Sequence, residues 1–392
     1  MPLNKSRAYE LMKSRGVDAI IASSLENVYY VSDYWSLALQ LQCGGQAYGL
    51  LPLNDEPSLI APISEADLVL GSGTWIKDIC FYGQPNLKIP GSDTGSEETR
   101  RLVKFYAEAG RGDDPIEALL KKIADRRLDK GVLAVDATGT PRFHEMIKNR
   151  LPDAKIVDGS GLLKEIRRIK TKEEIEVIER ATEITEKSME DALEIARSEI
   201  TELDLASMFE YSVAYDGGKV TYNLIGFRER SAYPNPIPST FEAQRGDLIR
   251  LTLGCSLGHY HSNISRTAVI GSPQPIAKKR WGIVLKAQEK VLEKVKPGVQ
   301  FSELYTAAEK ELGSSGFKPP YMSFGHGIGI ECNEKPLIVK GGEEQLEEGM
   351  VLNIDIPFLE LGVGGIQVED TIVVTEKGYK LLTKTDRSLY IL

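Results

Sequence analysis

The sequence predicts a two-domain protein of the α/β (α+β) class, and three observations predict it. The chain has 392 residues, which is long enough for two domains that each bury a core. Its first part alternates helix and strand patterns, and its second part repeats an order of two helices followed by strands. We place the first domain at residues 1–160 and the second at residues 161–392.

The pattern of the first domain predicts a mixed sheet flanked by helices. Asn4 can cap a helix whose apolar residues recur at helical spacing. Further helices are predicted near Ser96, where acidic residues in the first turn suit the helix dipole, and at Pro115. Short apolar runs predict strands at 18–23, 28–31, 47–51, 58–61 and 131–136.

The second domain begins with a long charged helix, predicted at 172–197, with one apolar face. The residues Thr201 to Asp204 form a capping-box pattern, which predicts the start of a second helix. Two more helices are predicted at 278–296 and 302–313. The strands are predicted at 219–226, 247–254, 258–270, 337–339, 349–356 and 364–375.

Composition and charge exclude several classes of partner. The net charge of −9 and the pI near 5.3 give no electrostatic reason to expect nucleic acid or an anionic membrane surface. No run of about 18 apolar residues predicts a transmembrane helix, and no apolar signal core follows the N-terminus. The four cysteines are scattered, which is typical of free thiols in a reducing compartment, so we expect a cytoplasmic protein.

Four short motifs lie at separated places in the second domain. His326 stands between two glycines, which suit a close approach of backbone rather than the filling of a core. The last motif is followed at once by a mostly apolar run, Thr371 to Val374, so its acidic residues need partners if they are buried. The motifs are G-D-L-I-R-L-T-L-G at 246–254, H-S-N-I-S-R-T at 261–267, G-H-G-I-G at 325–329 and Q-V-E-D at 367–370. E-x-x-E-x-P at 331–336 and L-E-E-G-M at 346–350 complete the pattern.

With these motifs the chain resembles the pita-bread family, which includes methionine aminopeptidase, aminopeptidase P, prolidase and creatinase. The resemblance covers nearly the whole chain. It implies a creatinase-type N-terminal α/β domain followed by a pita-bread domain. It also implies a site in which two aspartates, a histidine and two glutamates bind two divalent ions. In this chain those five positions hold Thr252, Asn263, His326, Asp355 and Glu369.

Two of these positions have lost the charge that the ions require. Thr252 offers a neutral hydroxyl and Asn263 a neutral amide where the resemblance implies carboxylates. Three further positions implied to handle substrate hold Asn235, Asn333 and Gln367 in place of two histidines and an arginine. Asparagine and glutamine cannot transfer protons near neutral pH as histidine can. We therefore expect the dinuclear prolyl-peptidase reaction to be lost.

The first functional hypothesis is a metal-independent, creatinase-like hydrolase or lyase that acts on a small polar, nitrogen-containing substrate and needs no cofactor. Strand alternation predicts that His259 and His261 face the same pit as Asn263. A histidine beside a carboxylate can perform general acid/base catalysis. The predicted catalytic residues are His326, Asp355, Glu369 and His261. The predicted substrate-binding residues are His259, Asn235, Asn333, Glu334, Gln367, Thr252 and Asn263.

Two other hypotheses stay open. One is an Xaa-Pro dipeptidase or aminopeptidase that uses a single divalent ion on His326, Asp355 and Glu369, since three protein ligands can suffice for a catalytic metal. The other is a non-catalytic binding protein in which the pit holds a ligand. In each case we expect a small molecule or a short peptide as ligand, and the resemblance implies a homodimer.

Overall fold

The computed structural model describes the residues 2–85, 87–89, 95–108, 114–138, 141–314, 316–317 and 322–392. It divides into two compact units, Met1–Arg167 and Arg168–Leu392. Both units combine helices with a mixed or antiparallel sheet, which confirms the predicted class.

The N-terminal unit is built on a six-stranded sheet with the order β4-β3-β2-β1-β5-β6. Strand β2 pairs antiparallel with β1 and β3, and the remaining pairs are parallel. The helices are α1 (Lys5–Arg15), α2 (Leu25–Ser32), α3 (Leu37–Gln40), α4 (Ala66–Ser72), α5 (Glu97–Glu108), α6 (Pro115–Asp125), α7 (Pro141–Arg150) and α8 (Gly159–Arg167). The strands are β1 (Ala19–Ala22), β2 (Tyr48–Pro52), β3 (Ser58–Pro62), β4 (Asp78–Tyr82), β5 (Val132–Val135) and β6 (Lys155–Asp158).

One predicted element of this unit is wrong. Residues 28–31 were expected to form a strand, but they lie inside helix α2. All residues from Asn27 to Ser32 are buried, and a short run that is apolar on every side does not distinguish strand from helix. The start of the helix is fixed by Asp136, whose carboxylate accepts hydrogen bonds from the backbone of Ser23 and Ser24. That long-range contact is invisible in the local sequence.

The C-terminal unit is built on a ten-stranded sheet, counted over the part of the chain that the structure describes. Its main path has the order β12-β11-β13-β14-β10-β8-β7. The helices are α9 (Lys172–Glu194), α10 (Glu202–Tyr215), α11 (Pro275–Leu292) and α12 (Phe301–Ser314). The strands are β7 (Lys219–Phe227), β8 (Leu248–Leu257), β9 (Tyr260–His261), β10 (Ile264–Val269), β11 (Ser323–Gly327), β12 (Glu334–Val339), β13 (Val351–Glu360), β14 (Gly364–Thr375), β15 (Gly378–Leu381) and β16 (Tyr390–Ile391).

The C-terminal unit has two cores, one for each of the two predicted halves. Helices α9 and α10 pack their apolar faces against β7, β8 and β10. Helices α11 and α12 pack in the same way against β11, β13 and β14. The capping box that was predicted at Thr201 is present, with Asp204 as its partner. The central strands of the sheet are therefore held by apolar helices in both halves.

Two features of this sheet differ from the sequence prediction. The region 258–270, expected as one strand, is divided into β9 and β10. Gly258 and His259 form a turn before β9 and both have positive φ angles of 51° and 67°. Strand β11, which carries His326, was not predicted because its two glycines are unusual in a strand interior.

Two expected absences can be checked on the described residues. No helix among them is both long and apolar enough to cross a membrane. The four cysteines are free thiols, as their scattered positions predicted.

Candidate active site

Four neighbouring strands place polar side chains in one row across the sheet of the C-terminal unit. Thr252 on β8 lies opposite Ser265 on β10, and Ser265 lies opposite Glu369 on β14. Glu369 lies opposite Asp355 on β13. Directly opposed residues of antiparallel strands share a face and have Cβ atoms about 5 Å apart. We call Thr252, Ser265, Glu369 and Asp355 the polar row.

Glu369 is the most enclosed carboxyl of the polar row, with 1% of its surface exposed. Its Oε1 accepts hydrogen bonds from the amide groups of Asn263 at 2.6 Å and Asn353 at 2.9 Å. Its Oε2 accepts one from the hydroxyl of Ser265 at 2.8 Å. Burial raises the pKa of Glu369, and the hydrogen bonds from Asn353 and Ser265 lower it in part. The three donors that hold this buried carboxyl are all neutral.

Asp355 is the second carboxyl of the polar row. Its Oδ1 accepts a hydrogen bond from Nε2 of Gln367 at 2.8 Å. Burial raises the pKa of Asp355 and the nearby charge of Glu369 raises it further, whereas Gln367 and His326 lower it. Two adjacent carboxyls resist carrying two negative charges in such a place, and a cation between them would favour both charges.

The amide of Gln367 is oriented by its neighbours. Its Oε1 accepts hydrogen bonds from Nη1 of Arg250 at 2.5 Å and from the hydroxyl of Thr252 at 3.2 Å. Because the amide oxygen is occupied in this way, the amide nitrogen faces Asp355. Gln367, predicted as a substrate-binding residue, therefore holds a side chain of the polar row in place.

His326 projects from β11, the strand beside β13. Its Nδ1 lies 2.9 Å from the backbone oxygen of Gly327, so Nδ1 carries the hydrogen and Nε2 carries the lone pair of a neutral ring. Burial lowers the pKa of His326, although Gly327, Asp355 and Glu334 oppose that shift. A neutral imidazole with its lone pair on Nε2 can accept a proton or bind a metal ion.

His261 and Glu334 form a second polar cluster near His326. The backbone N–H of His261 donates to Gly329 at 2.8 Å, and its Nδ1 lies 3.1 Å from the hydroxyl of Thr221. Glu334 forms a buried ion pair with Lys170 at 2.9 Å. Burial lowers the pKa of His261, and the negative charge of Glu334 raises it in part. The cluster supplies a neutral histidine close to an ionised carboxylate.

The structure does not bring every predicted site residue to the polar row. Asn235 and Asn333 are exposed, each outside the regular part of a strand. His259 lies in the turn before β9, so strand alternation does not carry it to the face of Asn263. Its neighbours are Lys219 and His261, and burial lowers the pKa of His259 to about 4.

Sequence reasoning missed four residues that contact or adjoin this site. Arg250 and Asn353 each lie two positions before a predicted residue on the same strand, Thr252 and Asp355, and Ser265 follows Asn263 by two. The period of two in a strand was the signal that could have found them. Tyr222 on β7 lies opposite Gly254 and hydrogen-bonds to Cys332, and burial and the charge of Glu369 raise the pKa of Tyr222.

Comparisons with known proteins agree on one family. Residues 176–376 match the model of metallopeptidase family M24, and residues 5–169 match the creatinase/prolidase N-terminal domain. An Xaa-Pro dipeptidase from Pyrococcus horikoshii is 30% identical over 383 residues, which cover 97% of this chain and 96% of that protein. An Xaa-Pro dipeptidase from Pyrococcus furiosus is 38% identical over 245 residues, which cover 62% of this chain and 70% of that protein.

A solved structure gives the same answer for the fold. The prolidase from Pyrococcus horikoshii superposes with a TM-score of 0.79 at 28% identity, and the match covers 98% of this chain and 99% of the other. These findings confirm a creatinase-like N-terminal domain and a pita-bread domain. They also correct the cofactor prediction. The family that matches is a family of metallopeptidases, so the expectation that the protein needs no metal is wrong.

A divalent ion needs several nitrogen or oxygen donors that converge on one point. Within the described ranges, no three His, Cys, Asp or Glu side chains are arranged together to hold a metal. The carboxylate of Glu369 is turned toward Asn263, Asn353 and Ser265, which donate hydrogen bonds to it.

Donor groups of suitable chemistry nevertheless lie on neighbouring strands of this sheet. They are Nε2 of His326, the carboxylates of Asp355 and Glu369, and Oδ1 of Asn263, which is buried and has no hydrogen-bond partner among the described residues. Such a mixed set of nitrogen and oxygen donors suits a divalent ion. With matches that span both units and this donor set in the sheet, the chain belongs to metallopeptidase family M24.

Proposed function

We propose that the protein hydrolyses short peptides in the manner of an Xaa-Pro dipeptidase and that it works with one divalent ion. Two relatives that match the chain carry the name Xaa-Pro dipeptidase, and one of them matches over 97% of this chain. These names favour this reading over the first hypothesis, a metal-independent enzyme that resembles creatinase. The observation that carries the proposal is that neutral His326, the carboxyls of Asp355 and Glu369, and Asn263 lie in one part of the sheet. The Oδ1 atom of Asn263 accepts no hydrogen bond from any described residue.

Three side chains would hold the ion. His326 presents the lone pair of Nε2, because its Nδ1 is bound to a backbone oxygen. Asp355 and Glu369 supply the negative charge, and their raised pKa values return toward the ordinary range when a cation lies between them. Glu369 would exchange its hydrogen bond from Asn263 for the ion. A divalent ion held there would act as a Lewis acid toward the carbonyl oxygen of the substrate.

The charge of the site supports one ion and argues against two. Thr252 and Asn263 replace the two aspartates that the resemblance implies, so two carboxylates remain where four are expected. A second dication would leave uncompensated positive charge in a buried place, which is costly. We therefore propose that the two-ion form of the site has been lost in this chain.

His261 is the proposed proton-transfer residue. It is neutral because burial lowers its pKa, and its ring is held by the hydroxyl of Thr221. Glu334, fixed by Lys170, stabilises the charged form of the ring when it takes up a proton. Histidine beside a carboxylate is an effective pair for proton transfer near neutral pH.

A class of substrate and an oligomeric state can be proposed from the same family relationship. A short peptide is the proposed ligand, because the relatives are dipeptidases by name. Asn235, Asn333 and Gln367 differ from the residues that the resemblance implies for prolyl substrates, so we propose that the preference for proline is weaker. The family resemblance supports a homodimer.

Hydrolysis of Xaa-Pro dipeptides with and without added Mn²⁺ tests the proposal. We expect metal-dependent release of proline, and we expect His326→Ala to lower the rate by at least about 100-fold, because changes to residues that only orient metal ligands already cost about 10- to 100-fold. His144→Ala is the matched control, since His144 lies on α7 in the other unit. We expect it to keep the wild-type rate. Binding of the dipeptide without any hydrolysis, at every metal concentration, would show a binding protein instead of an enzyme.

A further inference from the structure

The side chain of Asn353 lies against the carboxylate of Glu369, with 0% of its surface exposed. Its Nδ2 donates two hydrogen bonds, both at 2.9 Å, to Oε1 of Glu369 and to the backbone oxygen of Asn263. Its Oδ1 accepts one from the hydroxyl of Thr371 at 3.1 Å. Both N–H groups and the oxygen of this amide therefore have partners, which fix the amide in one orientation.

The register of three strands brings these groups together. Asn353 on β13 lies opposite His326 on β11 and opposite Thr371 on β14. Asp355, two residues further along β13, lies opposite Glu369. Asn353 therefore shares the face of Asp355, and Glu369 is its diagonal neighbour, close enough for a long side chain to reach.

The two amides that donate to Oε1 of Glu369 are held unequally. The amide of Asn263 donates to Oε1 at 2.6 Å, and its own oxygen is buried without a partner among the described residues. Among those residues only Glu369 holds the amide of Asn263, whereas three hydrogen bonds hold the amide of Asn353. Asn263 can turn at the loss of one hydrogen bond, and Asn353 cannot.

This inequality determines what happens when Oε1 of Glu369 meets a cation. A carboxylate oxygen has two lone pairs, and Oε1 already accepts from two amides. An ion bound at this oxygen has to replace one of them. Replacement of Asn353 would also leave the backbone oxygen of Asn263 and the hydroxyl of Thr371 without this partner. Asn263 therefore gives way, and the hydrogen bond from Asn353 remains.

We propose that Asn353 is a positioning residue that keeps Glu369 directed at the ion while the amide of Asn263 gives up its place on Oε1. This inference rests on the proposed one-ion function and identifies the residue that prearranges one of its ligands. Asn353 contacts neither the ion nor the substrate. The loss of a partner that orients a metal ligand typically weakens metal binding by about 10- to 100-fold.

The affinity for Mn²⁺, measured by calorimetry on folded protein, tests the role of Asn353. N353L removes both N–H groups at a similar side-chain shape. Thr371 can then donate to the backbone oxygen of Asn263, 3.2 Å away, so Glu369 is the group that loses a partner. We expect N353L to keep one ion per chain and to bind it about 10- to 100-fold more weakly than the wild type. N353A is a smaller replacement with the same expected result if N353L does not fold.

T371V is the matched control, because it alters the same buried cluster without touching Glu369. It removes the hydroxyl that donates to Oδ1 of Asn353, but the two hydrogen bonds from Nδ2 still orient that amide. We expect T371V to lower the melting temperature, since Oδ1 of Asn353 loses its partner, and to keep the wild-type affinity for Mn²⁺. A purely structural role of Asn353 would change the melting temperature and leave the affinity of the folded protein unchanged.

The possible failures can be told apart. A wild type that binds no Mn²⁺ would reject the proposed function together with this inference. A wild type that binds Mn²⁺, with equal affinity in folded N353L or N353A, would overturn the inference alone. So would a T371V variant whose affinity falls as far as that of N353L, because general loosening of the cluster would then account for both.

Discussion

The hydrogen bonds of two side chains, Glu369 and Asn263, determine which kind of ligand the site in the sheet favours. The carboxylate of Glu369 has three hydrogen-bond donors, whereas the amide oxygen of Asn263 is buried without a partner in the described part of the chain. An unpaired buried acceptor costs about 1–3 kcal/mol. A cation or an N–H donor from a ligand would remove that cost. The amide oxygen of Asn263 and the raised pKa of the adjacent carboxyls therefore favour the same kind of occupant.

A second buried carboxylate, in the N-terminal unit, gives a prediction about stability. Burial alone would raise the pKa of Asp136, but hydrogen bonds from Ser24, Asn27 and Thr138 outweigh it and lower the pKa to about 2. The folded state therefore prefers the ionised form. That contribution is fully present above the ordinary pKa of an aspartate and is lost as the pH falls through about 2.

We expect Asp136→Asn to lower the free energy of unfolding at pH 7 by about 2 kcal/mol, since one pKa unit corresponds to about 1.4 kcal/mol. The difference from the wild type should shrink as the pH falls below about 4. Urea unfolding at pH 7, 4 and 3 measures it. Asp153→Asn, at an exposed position, is the control and should change little. A difference that stays constant over this pH range would show that the charge of Asp136 is not the cause.

At the scale of elements, strand β11 depends on the lack of a side chain at Gly325. The φ angle there is +146°, and a Cβ would lie 2.1 Å from the backbone oxygen of Asn353 on β13. The backbone oxygen of Asn353 cannot move out of the way without a shift of the sheet. The glycine thus sets the distance between β11 and β13, and with it the position of His326.

We expect Gly325→Ala to destabilise the protein by at least about 2 kcal/mol through steric overlap and backbone strain. It should also abolish Mn²⁺ binding, because His326 moves away from Asp355. Thermal unfolding and calorimetry measure the two effects. Gly282→Ala is the matched control, since a Cβ there meets nothing within 4 Å on helix α11. It should keep Mn²⁺ binding and match or exceed the wild-type stability by up to about 1 kcal/mol. Equal effects of the two variants would contradict this account of β11.

Elements whose ends are fixed by neighbouring residues could be predicted from the sequence. Elements that depend on contacts with distant residues could not. Helices α1 and α10 begin at Asn4 and Thr201 because nearby side chains cap them, and both caps are readable in the sequence. Helix α2 has the local pattern of a buried strand, because its start depends on Asp136, more than 100 residues away. Strand β11 was missed because its glycines serve contacts with another strand rather than local propensity.

At the scale of the whole molecule, the separated motifs were enough to predict the fold and the adjacency of His326, Asp355 and Glu369. They were not enough to find Arg250, Ser265 and Asn353. Arg250 and Ser265 lie within the quoted motifs and Asn353 does not, but the contacts of all three arise from burial and from the register of strands that are distant in sequence. The metal requirement was predicted wrongly because the neutral side chains at positions 252 and 263 leave His326, Asp355 and Glu369 on neighbouring strands, and three such ligands can suffice for one ion.

The most direct test of the central claim is the number of Mn²⁺ ions that the wild-type chain binds at saturation, measured by calorimetry and elemental analysis. We predict one ion per chain, held with three protein ligands. His326→Ala should bind none, and His144→Ala should still bind one. Two ions per chain, no ion, or a single ion that persists in His326→Ala would contradict the account.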